Sequence, residues 1–242
     1  MSFWAGAAEG AQQRYTHFRI LGRGKSSIVG SATDCRLGEQ IAVKRISHVF
    51  VDADVGVEVL REVRLLRECN HPNIVALKSI VPPDDMSTFD TIFVVEEYME
   101  SDLRQLLRPR SQQSRPRITT GQAPEAVRSY MAQMLAGLAH VHALGAIHRD
   151  LKPENILLSP SRTSRAHPHG LVKLADFGLA RIDPNAARGA SPRRPSHRHD
   201  VVARRRTLAA DALVADAPAS EVECMMPTLK RQMTSHVVTR CA

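Results

Sequence analysis

The residues with the clearest chemical potential lie in one run, Ile147-His148-Arg149-Asp150-Leu151-Lys152-Pro153-Glu154-Asn155-Ile156-Leu157-Leu158. Its polar spacing suits phosphoryl transfer. The Asp150 carboxylate can stand near an incoming hydroxyl, and the Lys152 ammonium two residues on can face a transferred phosphate. The Asn155 amide, five residues on, can ligate a metal. Apolar Ile156 and Leu157 would hold this loop against a core. Downstream, Leu174-Ala175-Asp176-Phe177-Gly178 offers a second metal-binding carboxylate on a Phe-Gly hinge.

Together the two segments resemble the catalytic loop and metal-binding motif of the eukaryotic protein kinases. The resemblance implies an α+β, protein kinase-like fold, with a five-stranded N-lobe carrying one main helix and an incomplete, mainly helical C-lobe. It also implies roles. Asp150 orients the hydroxyl or accepts its proton, Lys152 steadies the phosphate, and Asn155 and Asp176 hold Mg2+. The lysine within His-Arg-Asp-Leu-Lys-Pro-Glu-Asn favours Ser/Thr over Tyr as acceptor.

The elements that must position these groups are legible upstream. Three short strands are expected over 18–21, 28–32 and 40–46, separated by Gly-rich or Asp/Gly turns. Between the first two lies Gly22-Arg23-Gly24-Lys25-Ser26-Ser27-Ile28-Val29. A phosphate-cradling G-x-x-x-x-G-K-S reading fails, because Arg19 stands where its first glycine is required. The hairpin instead resembles the kinase G-x-G-x-x-G-x-V loop, with Ser27 in place of the third glycine. A serine there restricts the backbone. Ile41-Ala42-Val43-Lys44 resembles the kinase V-A-I-K strand, with Ala42 over the adenine and Lys44 on the α/β phosphates. A strand lysine by itself is more often simply exposed.

Residues 55–69 have helical character, with apolar positions 59, 63 and 66. Glu62 lies within them and matches the acid that pairs with the strand lysine; the bland reading is an exposed Glu flanked by Arg61 and Arg64. Residues 70–75 form the turn into a fourth strand, and 91–97 a fifth. The stretch 96–103 resembles the inter-lobe hinge. Backbone groups of Glu97 and Met99 would meet the adenine edge, Asp102 the ribose, and Glu96 the back of the pocket. The ATP site implied by the resemblance is thus Leu21, Gly22, Gly24, Ser27, Val29, Ala42, Lys44, Glu97, Met99, Asp102 and Leu157.

Pro124 opens a further helix, ended by Gly145, whose stripe Val127, Met131, Met134, Leu138 and Val141 is expected to be core. Residues 159–170 read as a surface insertion before a strand over 171–175. The expected organisation is an N-terminal tail over 1–16, the kinase N-lobe and hinge over 17–99, a partial C-lobe over 100–181, and a low-complexity activation segment over 182–242.

That last segment becomes specific again at Met233-Thr234-Ser235-His236-Val237-Val238-Thr239-Arg240. It resembles the phosphorylation lip of mitogen-activated protein kinases and relatives, which usually reads Thr-x-Tyr and then V-A-T-R-W-Y-R-A-P-E. Thr234 matches the first phosphoacceptor, and His236 stands where tyrosine would be. Thr239 and Arg240 match the substrate-site residues of a proline-directed family. The resemblance implies protein substrates and an upstream activating kinase. The sequence ends where W-Y-R-A-P-E would begin, so the expectation is a truncated kinase. Its rival is a non-catalytic remnant that binds a nucleotide or a partner.

Composition narrows the alternatives. The 242 residues carry a net +8. Beyond Gly178 there are eleven Lys and Arg against six Asp and Glu, so most of the excess sits in one Arg-rich stretch. It has no interleaved aromatics to stack on bases, which argues against nucleic acid binding. Cys35, Cys69, Cys224 and Cys241 lack zinc or disulfide spacing and fit a reducing compartment, cytosolic or nuclear. Of the three His-x-His pairs, 140/142 is expected on different faces of a helix, and 167/169 and 197/199 in loops without a nearby Cys or carboxylate cluster, so no metal is assigned to them. His148 reads as a packing residue rather than a base. There is no basic-then-apolar leader, and no apolar run approaches the ~20 residues that span a bilayer.

Overall fold

The computed structural model describes residues 3–51, 53–85, 88–108, 124–159 and 167–182. The described residues fall into two compact units, one built from those of Met1–Arg64 with Ala76–Tyr98, the other from Leu65–Val75 with those between Met99 and Ile182.

The first unit is a five-stranded antiparallel sheet. Helix α1 (Ala11–Arg14) leads into β1 (Tyr15–Arg23), β2 (Ser27–Asp34) and β3 (Glu39–Ile46). Helix α2 (Ala53–Glu68) follows, then β4 (Leu77–Val81) and β5 (Ile92–Glu97), in the spatial order β1-β2-β3-β5-β4. All five expected strands form. The β2–β3 turn closes where the Asp/Gly signal stood: Gly38 takes a φ of 68°, its N–H donates to Asp34 O (2.8 Å), and the Arg36 N–H donates to the Asp34 carboxylate (3.0 Å).

Alternation along β3 and β5 sends Ile41, Val43, Phe93 and Val95 to one face. There they join Trp4, Ala11, Tyr15, Ala32 and Val81 in a buried cluster, with Phe3 and Phe18 half-buried against it. Residues 3–15, read as tail, therefore cover the sheet. Trp4 stacks on Tyr15 and Phe93 at 5.5 and 5.6 Å, and Arg14 clamps the buried Asp34 carboxylate at 2.7 Å. The segment carries Phe3, Trp4 and Tyr15, three of the chain's ten aromatics. Gly30 is required beneath this layer, since a Cβ there would come within 2.2 Å of the Phe18 ring.

In the second unit, β6 (Ser101–Asp102) runs into α3 (Leu103–Leu107). Then come α4 (Pro124–Ala143), β7 (Ala146–Ile147), a 3-10 turn (Pro153–Asn155), β8 (Ile156–Ser159), β9 (Leu171–Leu174) and β10 (Arg181–Ile182). Strands β6, β8 and β9 form one small sheet, and β7 pairs with β10. Gly145 follows α4 with a φ of 82°, the left-handed stop that its position implied.

The buried face of α4 differs from the expected stripe. Ala126, Tyr130, Gln133, Gly137 and Val141 are buried, whereas Val127 and Met131 are about half exposed and Met134 and Leu138 only partly covered. Both faces carry apolar residues, so spacing alone fits either. Close approach decides: at Gly137 a Cβ would lie 2.8 Å from Asn73 O and 3.1 Å from Leu174 Cδ1. Only the face with small residues lets the helix settle there.

Candidate active site

In the first unit, Gly24 N–H donates to Ser27 O at 2.8 Å and closes the β1–β2 turn. Ser27 lies in extended β2 opposite Ile46, and neither it nor Gly22 or Gly24 takes a positive φ. The serine therefore costs this hairpin no strain. Leu21, Gly22 and Gly24 are exposed, while Ser27 and Val29 are half-buried.

On β3, Ala42 and Lys44 point away from the aromatic cluster, facing with Val94 and Glu96, their register partners on β5. The Lys44 ammonium donates to both Glu62 oxygens, at 2.8 and 3.1 Å. Glu62 is 2% exposed. A carboxylate that deep needs a cation or several donors, and Lys44 is a cation in contact with it. The bland reading of Glu62 as a surface acid is overturned. Burial along α2 extends past the 59/63/66 stripe to Arg61 and Arg64. At the end of β5 the Glu97 N–H donates to Ala76 O at 2.9 Å.

In the second unit, Met99 is buried. Asp102 lies opposite Leu157 across β6 and β8. Its carboxylate caps α3, accepting from the Gln105 N–H and from Gln105 Nε2, both at 2.7 Å.

The loop after β7 is organised on Asp150. Lys152 Nζ donates to Asp150 Oδ2 at 2.5 Å, and Asn155 Nδ2 donates to the same oxygen at 3.0 Å and to Asp150 O at 2.9 Å. The Asp150 partnership raises the Lys152 pKa above its ordinary value, so the ammonium stays charged. Both of these side-chain bonds of Asn155 use its nitrogen, so its carbonyl oxygen is the atom that could meet a metal. Ala175 N–H donates to Asn155 O at 3.0 Å, bringing Asp176 beside Asn155. Arg149 and Asp176 both hold left-handed backbone, with φ of 68° and 63°, which non-glycine residues adopt only where the surroundings impose it.

His148 supplies part of that imposition. It is 1% exposed and packs on the fully buried Phe177, with centroids 4.6 Å apart. The Asp150 N–H donates to Nδ1 at 3.3 Å, so Nε2 carries the hydrogen and donates to Ala175 O at 3.1 Å. That ring is neutral, and burial holds its pKa below the ordinary value. Packing was expected of it; bridging the Asp150 and Asp176 segments was not. Two buried amides, Asn73 and Gln133, also escaped the sequence reading. The available sign was a glutamine amid the apolar positions of α4.

Asn155 and Asp176 offer hard oxygen donors, the type Mg2+ prefers, and two such residues are too few to close an octahedron without phosphate or water. The residues present thus fit the ion. No group of three or more His, Cys, Asp or Glu is placed to hold a metal among the described residues. Nor, among them, is any helix long and apolar enough to cross a membrane. Thr234, Thr239 and Arg240 lie outside the described residues.

This combination of a strand lysine paired to a helix glutamate, an Asp-Lys-Asn catalytic loop and an Asp-Phe-Gly turn belongs to one class. The protein kinase domain model matches residues 15–197, and the chain belongs to that family. Within it the chain is similar to mitogen-activated protein kinases of plants. It is 38% identical to Mitogen-activated protein kinase 8 of Arabidopsis thaliana over 178 residues, which is 74% of this chain and 27% of that one. It is 37% identical to Mitogen-activated protein kinase 12 of Oryza sativa subsp. japonica over 190 residues, or 78% and 30%. The match thus spans under a third of those relatives' length.

Proposed function

We propose that this chain binds ATP with Mg2+ and transfers the γ-phosphate to Ser or Thr hydroxyls of protein substrates, preferring a following proline. The observation that carries this reading is the Asp150 centre, where one carboxylate is met by the Lys152 ammonium and the Asn155 amide. Bound magnesium–ATP supplies the phosphoryl group and its leaving group. Asp150 holds the acceptor hydroxyl and takes its proton. Lys152, kept cationic by Asp150, steadies the developing negative charge. Asn155 and Asp176 ligate the ion through oxygen. Lys44, oriented by Glu62, holds the α and β phosphates. Thr234 is the expected site for an upstream activating kinase, with Thr239 and Arg240 at the substrate position.

Radiolabelled transfer to a Thr-Pro peptide tests the reading. Asp150→Asn should cut the rate by at least ~100-fold. Equal counts from both proteins would end it. One observation favours a second reading, a nucleotide- or partner-binding module without transfer: Val127, Met131 and Leu135 form an exposed apolar face on α4. That reading predicts nucleotide binding with no Asp150-dependent transfer.

A further inference from the structure

Strand β9 delivers the chain to Asp176, and its two edges are held differently. One edge pairs with β8, from Ser159 opposite Leu171 to Ile156 opposite Leu174. On the other edge, among the described residues, backbone partners are found at the Leu174 end: Leu174 N–H donates to Asn73 O, and Val75 N–H to Leu174 O, both at 2.9 Å. Further back, two side-chain amides stand in for the missing strand. Gln133 Oε1 accepts the Val172 N–H at 2.9 Å, and Gln133 Nε2 donates to Gly170 O at 3.1 Å. Asn73 Nδ2 donates to Val172 O at 2.9 Å and to Gln133 Oε1 at 3.1 Å. Gln133 and Asn73 are 7% and 5% exposed, so these bonds are not exchangeable for water at little cost.

We infer that Gln133 and Asn73 are positioning residues for the metal site, acting through β9. Strand register has a period of two, and a slip of one residue turns every side chain to the opposite face. The amide pair sets that register from Gly170 to Val172. From Leu174 on, the Asn73 and Val75 backbone holds Leu174, and Asn155 O and His148 hold Ala175. Asp176 is thereby carried to Asn155 in its left-handed conformation. The inference rests on the reading of Asn155 and Asp176 as metal ligands.

The test is Mn2+ affinity, read by electron paramagnetic resonance on the full chain with the non-hydrolysable analogue AMP-PNP. Gln133→Leu should weaken Mn2+ binding about tenfold, as loss of supporting bonds around metal ligands does. AMP-PNP binding in EDTA should be unchanged. Val141→Ala, a cavity in the same helix at a fully buried site outside this network, is the control for lost stability and should bind Mn2+ like the parent. Asn73→Ala removes the other amide and carries the same expectation if Gln133→Leu does not fold. If both amide variants that fold bind Mn2+ as Val141→Ala does, the amides serve the fold alone and the inference is wrong. If the parent binds AMP-PNP but no Mn2+, the metal reading fails and takes the inference with it.

Discussion

The two units stabilise their functional groups by different means. In the first, one sheet face is sealed by Trp4, Tyr15, Phe18 and Phe93, and the working residues Ala42 and Lys44 lie on the other face as a by-product of strand alternation. Apolar burial underlies that frame, and the Lys44–Glu62 ion pair orients the Lys44 ammonium. In the second, apolar packing such as that of His148 on the fully buried Phe177 is joined by a set of hydrogen bonds. Asp150 is bonded to His148 and Asn155, Ala175 just before Asp176 is bonded to Asn155 and His148, and Arg149 and Asp176 hold left-handed backbone. Meanwhile α4 leaves a row of apolar side chains exposed. A binding frame tolerates approximate geometry if its core is sound. A transfer centre needs each bond in place.

The contrast is most exposed by substitution at each centre. Asp150→Asn should lower kcat by ~10²–10⁴-fold with nucleotide affinity retained, whereas Lys44→Met should lower both. Fluorescent-nucleotide titration beside the rate assay checks this, and parallel losses for both variants would erase the division of labour. In stability, Phe93→Ala should cost ~3–5 kcal/mol by urea unfolding, because it opens the apolar cluster that the first unit depends on.

Gly30→Ala and Gly137→Ala compare the two close approaches. In α4 alanine gains up to ~1 kcal/mol of helix propensity, but the 2.8 Å approach to Asn73 O should cost ~1–3 kcal/mol and win. A raised melting temperature for Gly137→Ala would contradict that packing.

Acid should act on the second unit. His148 and His71 are both held neutral by burial, with Lys173 adding to the effect at His71, and both pKa values lie below 6.5. As pH falls below 6.5 the unfolded chain takes up these protons first. Stability from these two groups should therefore be complete above pH 6.5 and decline below it, through their lowered folded values. Chemical denaturation of His148→Gln and the parent between pH 7 and 5 should show a shallower decline in the variant. The smallest effect is expected at Met131→Lys: a stability change within ~0.5 kcal/mol by urea unfolding.

Much of this could be read before any coordinates. The motifs singled out Asp150, Lys152, Asn155 and Asp176 as candidates, and the structure brings Lys152 and Asn155 onto the Asp150 carboxylate. Alternation and turn chemistry located the five strands, and Glu62 was found one strand-to-helix step from Lys44. These succeed because they depend on local chemistry: side-chain period, turn residues, and functional groups a few residues apart. What escaped depended on distant partners. The packing of residues 3–15 on the sheet needed Phe93, and the choice between two apolar faces of α4 needed Asn73 and Leu174. The amides of Gln133 and Asn73 gained their meaning only where β9 lacked a neighbour on one edge. Sequence alone determined which groups could do chemistry. Tertiary structure decided how they are held, because a hydrogen bond between residues dozens apart leaves no periodic trace in the chain.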